Sequence, residues 1–310
     1  MKLNKTSIKW KDFGDYIMLS APIFFDFFKC INHIKKSEIK ILCNVKCNYL
    51  TKLVKINNEY FILKIGSFNQ SLKVYFLNKA PNKNEKKHIA KHVWHMFDLD
   101  AALTEFYNIF SNDPVLSEFI TKFKGLRIIK TNNVFEALCW AIMGQQINLN
   151  FAYKLKTRFV ENYGECITYN GEKYYLFPSW DKIARLETNE LRQMQLSTRK
   201  AEYIIGIAKL FKKQVLQSII NKNNDYERLK NELIKIRGVG AWTADYAIIQ
   251  SSNLTEAFPI NDIGIHNSLK EILKLDTKPS LDYIRKMIKK WGKWKSYAAF
   301  YIWENLGEYD

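Results

Sequence analysis

The spacing of apolar residues changes near residue 95, and this change limits the folds that the chain can adopt. Residues 60–68 ("YFILKIGSF") and 71–80 ("SLKVYFLNKA") alternate apolar and polar side chains, which is the period of a half-buried strand. From "FDLDAALTEF" onward, apolar residues recur at the three-to-four-residue spacing of one helical face. The sequence therefore predicts a small α+β domain with an antiparallel sheet over residues 1–95, and a mainly α-helical domain over residues 96–310.

Two segments of the first region depart from the strand pattern. Residues 20–34 ("SAPIFFDFFKCINHI") are predicted to form a helix that packs on the sheet. Residues 80–93 ("APNKNEKKHIAKHV") are polar and basic, so we expect them to be exposed to solvent.

The chain carries 48 Lys and Arg against 31 Asp and Glu, a formal net charge of +17. Such an excess favours polyanionic partners, either nucleic acid or an anionic membrane surface. A lysine-rich proteome with AT-rich codons would also raise the charge, so composition alone does not choose the partner.

Membrane insertion, secretion and a zinc or iron–sulfur site are not expected. No apolar run is long enough to cross a bilayer, and the first residues have no apolar core of a secretory signal. The five cysteines are scattered and complete no zinc or iron–sulfur set. We therefore expect reduced thiols, a cytoplasmic location and no cofactor.

Residues 236–247 ("IRGVGAWTADYA") place two glycines between two helical patterns. With no side chain at Gly238 or Gly240, a phosphate oxygen can approach the backbone N–H groups that begin the second helix. Such a turn holds one DNA strand without recognising its base sequence. An ordinary glycine-terminated helix is the alternative interpretation.

Asp262 lies in residues 258–269 ("FPINDIGIHNSL"), just before a new apolar-periodic run. An aspartate in that position most often caps a helix, and the segment alone favours this role. The functional alternative is a carboxylate that faces a developing positive charge.

Four segments together resemble the helix–hairpin–helix base-excision DNA glycosylases, and among them most closely the bacterial 3-methyladenine DNA glycosylase II group. They occur in the family's order and spacing. The similarity covers residues 96–310 well, and the first 95 residues only in outline. The segments are "FEALCWAIMGQQI" (135–147), "LIKIRGVGAWTADYA" (233–247), residues 258–269 and "KWKSYAAFYIW" (293–303).

The resemblance implies that Asp262 is the catalytic carboxylate. It also implies that Gly238, Val239 and Gly240 form the hairpin that grips a phosphate, with a monovalent cation expected at the backbone of the two glycines. Arg237 stands where the family commonly has proline, and would add a phosphate contact.

Trp242 occupies the position at which the bifunctional branch of the family carries a nucleophilic lysine. An indole cannot form a Schiff base, so the resemblance implies excision without AP-lyase activity. Tyr246 follows four residues later on the same helical face, and by resemblance Trp303 completes an aromatic pocket. Electron-rich rings attract a cationic alkylated base by ~0.5–2 kcal/mol each. Core packing is the alternative for each of these rings.

Gln145 and Gln146 fall in the loop that fills the gap left by a flipped base in this family. A polar side chain at Gln146 suggests a plug that contacts the orphaned partner base, although wedges are often apolar. A polar helix end is the alternative, and the identity of the wedge stays open.

The resemblance thus predicts a monomeric, monofunctional DNA glycosylase for alkylated purines of the 3-methyladenine and 7-methylguanine type. It would flip the base out of damaged double-stranded DNA and leave an abasic site. Whether Asp262 activates water or only stabilises the oxocarbenium ion stays open. Glycosylases for hypoxanthine, uracil or oxidised purines, and a non-catalytic lesion-binding protein, are the alternatives.

Overall fold

The computed structural model describes residues 8–36, 41–131, 133–222 and 225–306. Fifteen α-helices and a small antiparallel sheet within these ranges confirm the predicted mainly α fold with an α+β region at the N-terminal end. Internal contacts divide the chain into two units. Unit 1 comprises Met1–Glu105, Lys124–Asn132 and Glu165–Leu176, and unit 2 comprises Phe106–Phe123, Asn133–Gly164 and Phe177–Asp310. The domain boundary at residues 95 and 96 stays a prediction.

Unit 1 contains a six-stranded antiparallel sheet with the strand order β1-β2-β6-β5-β4-β3. The two alternating segments of the sequence form its fifth and sixth strands, as predicted. One side of these strands carries fully buried apolar residues, for example Ile17, Leu63 and Val74. The strands are β1 Trp10–Asp12, β2 Tyr16–Ser20, β3 Asn44–Lys46, β4 Tyr49–Ile56, β5 Glu59–Phe68 and β6 Ser71–Phe76.

Two helices of unit 1 accompany the sheet. Helix α1 (Phe27–Lys36) forms over the second half of the segment predicted to be helical and extends two residues beyond it. Helix α2 (Lys83–Met96) packs against β2 and β4, so the prediction that residues 80–93 are simply exposed was wrong. Lys86 is only 7% exposed, because its ammonium group donates to Asp12 Oδ1 at 2.7 Å.

A two-stranded hairpin interrupts the helical region and belongs to unit 1. Strands β7 (Cys166–Tyr169) and β8 (Glu172–Tyr175) pair antiparallel. Asn170 and Gly171 join them with φ values of 48° and 77°, as two-residue hairpin turns require. The sequence predicts a mainly helical domain over residues 96–310, and this hairpin departs from that prediction.

The remaining helices build unit 2, except that the first turn of α3 belongs to unit 1. They are α3 Leu103–Phe110, α4 Leu116–Lys122, α5 Val134–Gly144, α6 Leu149–Tyr163, α7 Trp180–Ile183, α8 Thr188–Arg192, α9 Thr198–Lys212, α10 Val215–Lys222, α11 Tyr226–Ile234, α12 Ala241–Ser251, α13 Ile263–Ile272, α14 Leu281–Lys290 and α15 Lys295–Leu306, with a 3-10 turn at Gly292–Trp294.

Two helix pairs of unit 2 position the candidate site. Helix α12 packs against α5, and α15 packs against α13. An aromatic core supports α15, in which Phe106 contacts the rings of Trp294, Tyr297 and Tyr301 at centroid distances of 5.5–5.8 Å. No helix among the described residues is both long and apolar enough to cross a membrane.

Candidate active site

Asp262 is the N-cap of α13, and its carboxylate is also held by two indole groups. Oδ1 accepts a hydrogen bond from the Ile265 backbone N at 2.9 Å, so capping and a catalytic role are compatible. Trp242 Nε1 donates to Oδ2 at 2.6 Å, and Trp303 Nε1 donates to Oδ1 at 3.2 Å. The side chain is half-buried, and among the described residues Oδ2 accepts a hydrogen bond from Trp242 alone. That oxygen therefore keeps a lone pair for a further interaction.

Three aromatic rings form a continuous cluster beside this carboxylate. Trp242 stacks on Tyr246 with a centroid distance of 5.4 Å and an interplanar angle of 19°. The Trp303 ring contacts the Tyr246 ring at a centroid distance of 6.0 Å and an interplanar angle of 49°. All three side chains are half-buried. The structure therefore brings together the four residues that the sequence assigned to catalysis and to the pocket.

Two further aromatic residues, Trp140 and Tyr153, support Tyr246 and were not identified from the sequence. They stack on each other at 5.1 Å and 22°. Burial, followed by the nearby Tyr153, raises the pKa of the Tyr246 hydroxyl, and the neighbouring Trp140 opposes this rise. The hydroxyl is therefore neutral at physiological pH. Trp140 lies outside the apolar face of α5, and this placement of a large aromatic residue could have indicated its role.

The Gly238-Val239-Gly240 turn joins α11 to α12. Gly238 has φ +91°, and a Cβ at this position would lie 2.3 Å from the Tyr203 ring, so only glycine fits. Val239 is buried. Gly240 is the N-cap residue of α12 and is exposed, with open space where a Cβ would stand. The backbone at the start of α12 is therefore accessible to an anion.

The two adjacent glutamines have different environments. Gln145 points toward the hairpin, where its Nε2 donates to Gly238 O and to Thr243 Oγ1, both at 3.1 Å. Gln146 is exposed and adopts a left-handed backbone conformation with φ +54°. The geometry thus gives Gln145 a supporting contact with the hairpin and leaves Gln146 accessible from solvent.

Arg237 is exposed and forms a surface ion pair. Its guanidinium lies 2.7 Å from Glu202 Oε2 and 5.5 Å from the centroid of the Tyr203 ring. Because exposed ion pairs contribute little stability, about 0–1 kcal/mol, a phosphate can replace the carboxylate at small cost.

The carbonyl oxygens of both hairpin glycines already accept hydrogen bonds. Gly238 O already accepts from Gln145 Nε2 at 3.1 Å, and Gly240 O accepts the α12 helix bond from Ala244 N at 2.9 Å. Each carbonyl oxygen keeps one lone pair for a further interaction. A monovalent cation here stays a prediction from the resemblance, and no step of the proposed reaction depends on it.

A buried polar triad connects the two helices that flank the hairpin. Asp245 on α12 is 1% exposed. It accepts from Tyr226 Oη at 2.7 Å and from Lys230 Nζ at 2.9 Å, both on α11. Burial raises the pKa of Asp245, an effect that Lys230 opposes. The triad fixes the angle at which the helices enter and leave the turn.

Comparisons with known proteins identify the family of the chain. Residues 139–293 match the family model of the HhH-GPD superfamily of base excision DNA repair proteins, and residues 32–138 match the N-terminal domain model of 8-oxoguanine DNA glycosylase. A DNA-3-methyladenine glycosylase of Bacillus subtilis (strain 168) is 36% identical over 300 residues, covering 96% of this chain and 99% of the relative.

Solved structures show the same fold. A 3-methyladenine DNA glycosylase from Archaeoglobus fulgidus superimposes with a TM-score of 0.80 at 20% identity, covering 94% of this chain and 99% of that one. The 8-oxoguanine glycosylase/lyase of Clostridium acetobutylicum, in a complex with double-stranded DNA, gives 0.77 at 20% identity and 98% coverage of both chains.

The chain therefore belongs to the HhH-GPD superfamily of base excision DNA repair proteins, and within it to the DNA glycosylases.

Proposed function

We propose that this glycosylase is monofunctional and excises alkylated purines that carry a positive charge, of the 3-methyladenine and 7-methylguanine type. The observation that carries the proposal is the position of Asp262 beside the rings of Trp242, Tyr246 and Trp303. Aromatic faces attract cations by ~0.5–2 kcal/mol each, so the cluster would favour a cationic base over a neutral one. The name of the Bacillus relative supports the same substrate class.

The proposed reaction begins when the damaged nucleotide leaves the base stack and enters the aromatic cluster. The N-glycosidic bond breaks, and its electron pair neutralises the positive charge of the departing purine. The sugar is left as an oxocarbenium ion, which the carboxylate of Asp262 stabilises. Water adds to C1′ and releases a proton, so the products are the free base and an abasic site.

The proposed role of Trp242 is to hold the carboxylate as well as to form the pocket wall. Its N–H lies 2.6 Å from Asp262 Oδ2, and an indole offers no amine for attack on the sugar. We therefore propose that the strand stays intact after excision.

Incubation with methylated duplex DNA, followed by identification of the released bases, tests the substrate class. We expect release of 3-methyladenine and 7-methylguanine in preference to hypoxanthine, uracil and 8-oxoguanine from matched duplexes. Faster release of any neutral base would contradict selection by an aromatic cluster. In the control Asp262→Asn the side-chain oxygen can still cap α13, and base release should be lost while the unfolding temperature stays close to that of the wild type.

Strand integrity is tested separately. After base release, the DNA should migrate intact under neutral conditions and break only when heated in alkali. Borohydride should trap no covalent protein–DNA adduct. The purified wild type could instead cleave the DNA strand at neutral pH, with the cleavage absent from purified Asp262→Asn. This result would show that the enzyme is bifunctional.

A further inference from the structure

One side of the unit 1 sheet carries an unusual set of side chains. The strand register places alternate residues of the six strands on the side opposite the buried apolar one. We refer to this side as the basic aromatic face. Its strand residues are Lys11, Tyr16, Met18, Ser20, Asn44, Lys46, Tyr49, Thr51, Leu53, Lys55, Tyr60, Ile62, Lys64, Gly66, Phe68, Ser71, Lys73 and Tyr75.

The strands contribute five lysines and five aromatic residues to the basic aromatic face, and within the six described strands no Asp or Glu shares it. Two glutamates, one on β8 and one directly before β7, neutralise two of the lysines. Lys46 pairs with Glu172 at 2.5 Å, and Lys55 pairs with Glu165 at 2.9 Å. The positive charge of the face is thus compensated only at the side where the hairpin lies.

Three lysines are left without such compensation. Among the described residues, Lys11, Lys64 and Lys73 have no carboxylate within ion-pair distance. Lys64 Nζ lies 4.1 Å from the ring centroid of Tyr49, and Lys73 Nζ lies 3.9 Å from that of Phe68. The ammonium groups therefore lie among aromatic rings, where an anionic group could reach them.

The aromatic rings are arranged as a platform. Phe13 stacks on Tyr16 at 5.0 Å and 9°, and Tyr16 contacts Tyr75 at 5.3 Å. The ring of Tyr49 lies across Gly66, where a Cβ would meet it at 2.5 Å. Phe13 is 46% exposed and Phe68 is 49% exposed. Large apolar rings that stay in contact with water beside uncompensated charge indicate a binding surface.

We propose that the basic aromatic face binds unpaired nucleotides of single-stranded DNA, with phosphates at Lys11, Lys64 and Lys73 and bases stacked on the exposed rings. Non-specific single-strand binding combines a positive surface with aromatic stacking. Bases within a duplex present no free ring face, which favours an unpaired strand. Acidic peptides and anionic membranes would use the lysines but would not require the rings.

The test compares two double variants that each remove two positive charges from unit 1. Lys64→Gln with Lys73→Gln alters the basic aromatic face. Lys87→Gln with Lys91→Gln alters exposed lysines of α2, the helix whose Lys86 contacts Asp12 and Phe76 on the buried side of the sheet. Circular dichroism verifies that both variants are folded. Fluorescence anisotropy with a labelled oligothymidylate measures binding across a salt series.

We expect the Lys64/Lys73 variant to bind about tenfold more weakly, with a salt slope smaller by about 1.4, because each phosphate contact contributes about 0.7 on single strands. The Lys87/Lys91 control should bind like the wild type. Phe13→Ala with Phe68→Ala should also weaken binding about tenfold while keeping every charge. Base release from methylated duplex DNA should be unchanged in all variants, which separates this proposal from the proposed catalytic function.

Equal binding by the Lys64/Lys73 variant and its control would overturn the proposal. Wild-type affinity in the Phe13/Phe68 variant would also overturn it, because charge alone would then explain binding. Binding to phosphatidylserine vesicles or polyglutamate at concentrations where oligothymidylate does not bind would assign the face to another partner.

Discussion

The hydrogen bonds between two indoles and Asp262 lead to a graded prediction. Trp242→Phe keeps an aromatic ring but removes the donor 2.6 Å from Oδ2, and no other residue in the described part of the chain donates to this oxygen. Trp303→Phe removes a longer bond of 3.2 Å to Oδ1, which keeps the Ile265 N–H. Hydrogen bonds to charged groups contribute about 1.5–3 kcal/mol. Single-turnover base release should fall about 10–100-fold for Trp242→Phe and less for Trp303→Phe.

The substrate series provides the control for this prediction. If the indoles mainly position the carboxylate, both variants should lose a similar factor on 3-methyladenine and on 7-methylguanine, with substrate affinity changed less than the rate. A larger loss of rate for Trp303→Phe than for Trp242→Phe would mean that the two N–H groups do not act through Asp262. A loss of substrate affinity without a loss of rate would lead to the same conclusion.

Individual site residues were predictable from the sequence only where motif order identified them. Asp262, Trp242 and Tyr246 lie within two recognisable segments, and the structure brings them together with Trp303. The indole hydrogen bonds were not predictable, because they depend on how α12 and α15 approach the start of α13. Trp140 and Tyr153 were missed for the same reason, since Trp140 lies on α5, which packs against α12, and Tyr153 lies on α6, which packs against α5.

At the scale of elements, the hairpin offers a matched pair of glycine variants. Gly238→Ala would impose φ +91° on an alanine and bring its Cβ to 2.3 Å from the Tyr203 ring. A left-handed alanine alone costs roughly 1–2 kcal/mol, so urea unfolding should show a clear loss of stability. Gly240→Ala has open space around the added methyl group and φ −86°, so the fold should tolerate it.

DNA affinity separates the roles of the two glycines. If a phosphate approaches the backbone at the start of α12, the methyl group of Gly240→Ala should obstruct it and weaken duplex binding while stability stays near that of the wild type. Unchanged affinity in a folded Gly240→Ala protein would show that the hairpin does not hold a phosphate at this position.

The polar triad between α11 and α12 should respond strongly to loss of one partner. Asp245→Ala leaves the partly buried Lys230 without its carboxylate, and breaking a buried pair typically costs about 3–5 kcal/mol. Removing the charge at both positions, with Asp245→Asn and Lys230→Met, should cost less than Asp245→Ala alone. Urea unfolding of the two variants measures the difference, and a double variant less stable than Asp245→Ala would contradict this account.

The elements that sequence analysis misjudged carried detectable patterns. Residues 80–93 looked exposed because they contain many lysines, yet Ile89, Ala90 and Val93 have the spacing of a buried helical face. The β7–β8 hairpin is marked by Asn170-Gly171, a strong indicator of a two-residue turn. Both patterns span only a few residues, so the composition of the longer segments around them determined the prediction.

At the scale of the whole molecule, the change of period near residue 95 predicted the fold class but not how the chain is shared between the units. Two later segments, Lys124–Asn132 and Glu165–Leu176, belong to unit 1. These segments join unit 1 through contacts between residues far apart in the sequence, and the spacing of apolar residues does not predict such contacts. The pairing of Lys46 and Lys55 with glutamates of the hairpin has the same origin, so the charge pattern of the basic aromatic face became evident only from the strand register.

A pH dependence of stability follows from His92 on α2. Burial, followed by the positive charges of Lys52 and His95, lowers the pKa of His92 from 6.5 to about 3. Between these values the unfolded chain holds a proton on this imidazole that the folded chain does not. Unfolding therefore takes up a proton, and stability falls as the pH is lowered through this window.

At pH 5 this single group should reduce the free energy of unfolding by about 2 kcal/mol relative to pH 8. Urea unfolding at several values between pH 5 and pH 8 measures the dependence for the wild type and for His92→Gln, which cannot titrate at this position. The wild type should lose more stability on acidification than the variant, and the gap should widen steadily below pH 6.5. Parallel curves for the two proteins would mean that the imidazole is protonated in the folded state and that its burial does not exclude the charge.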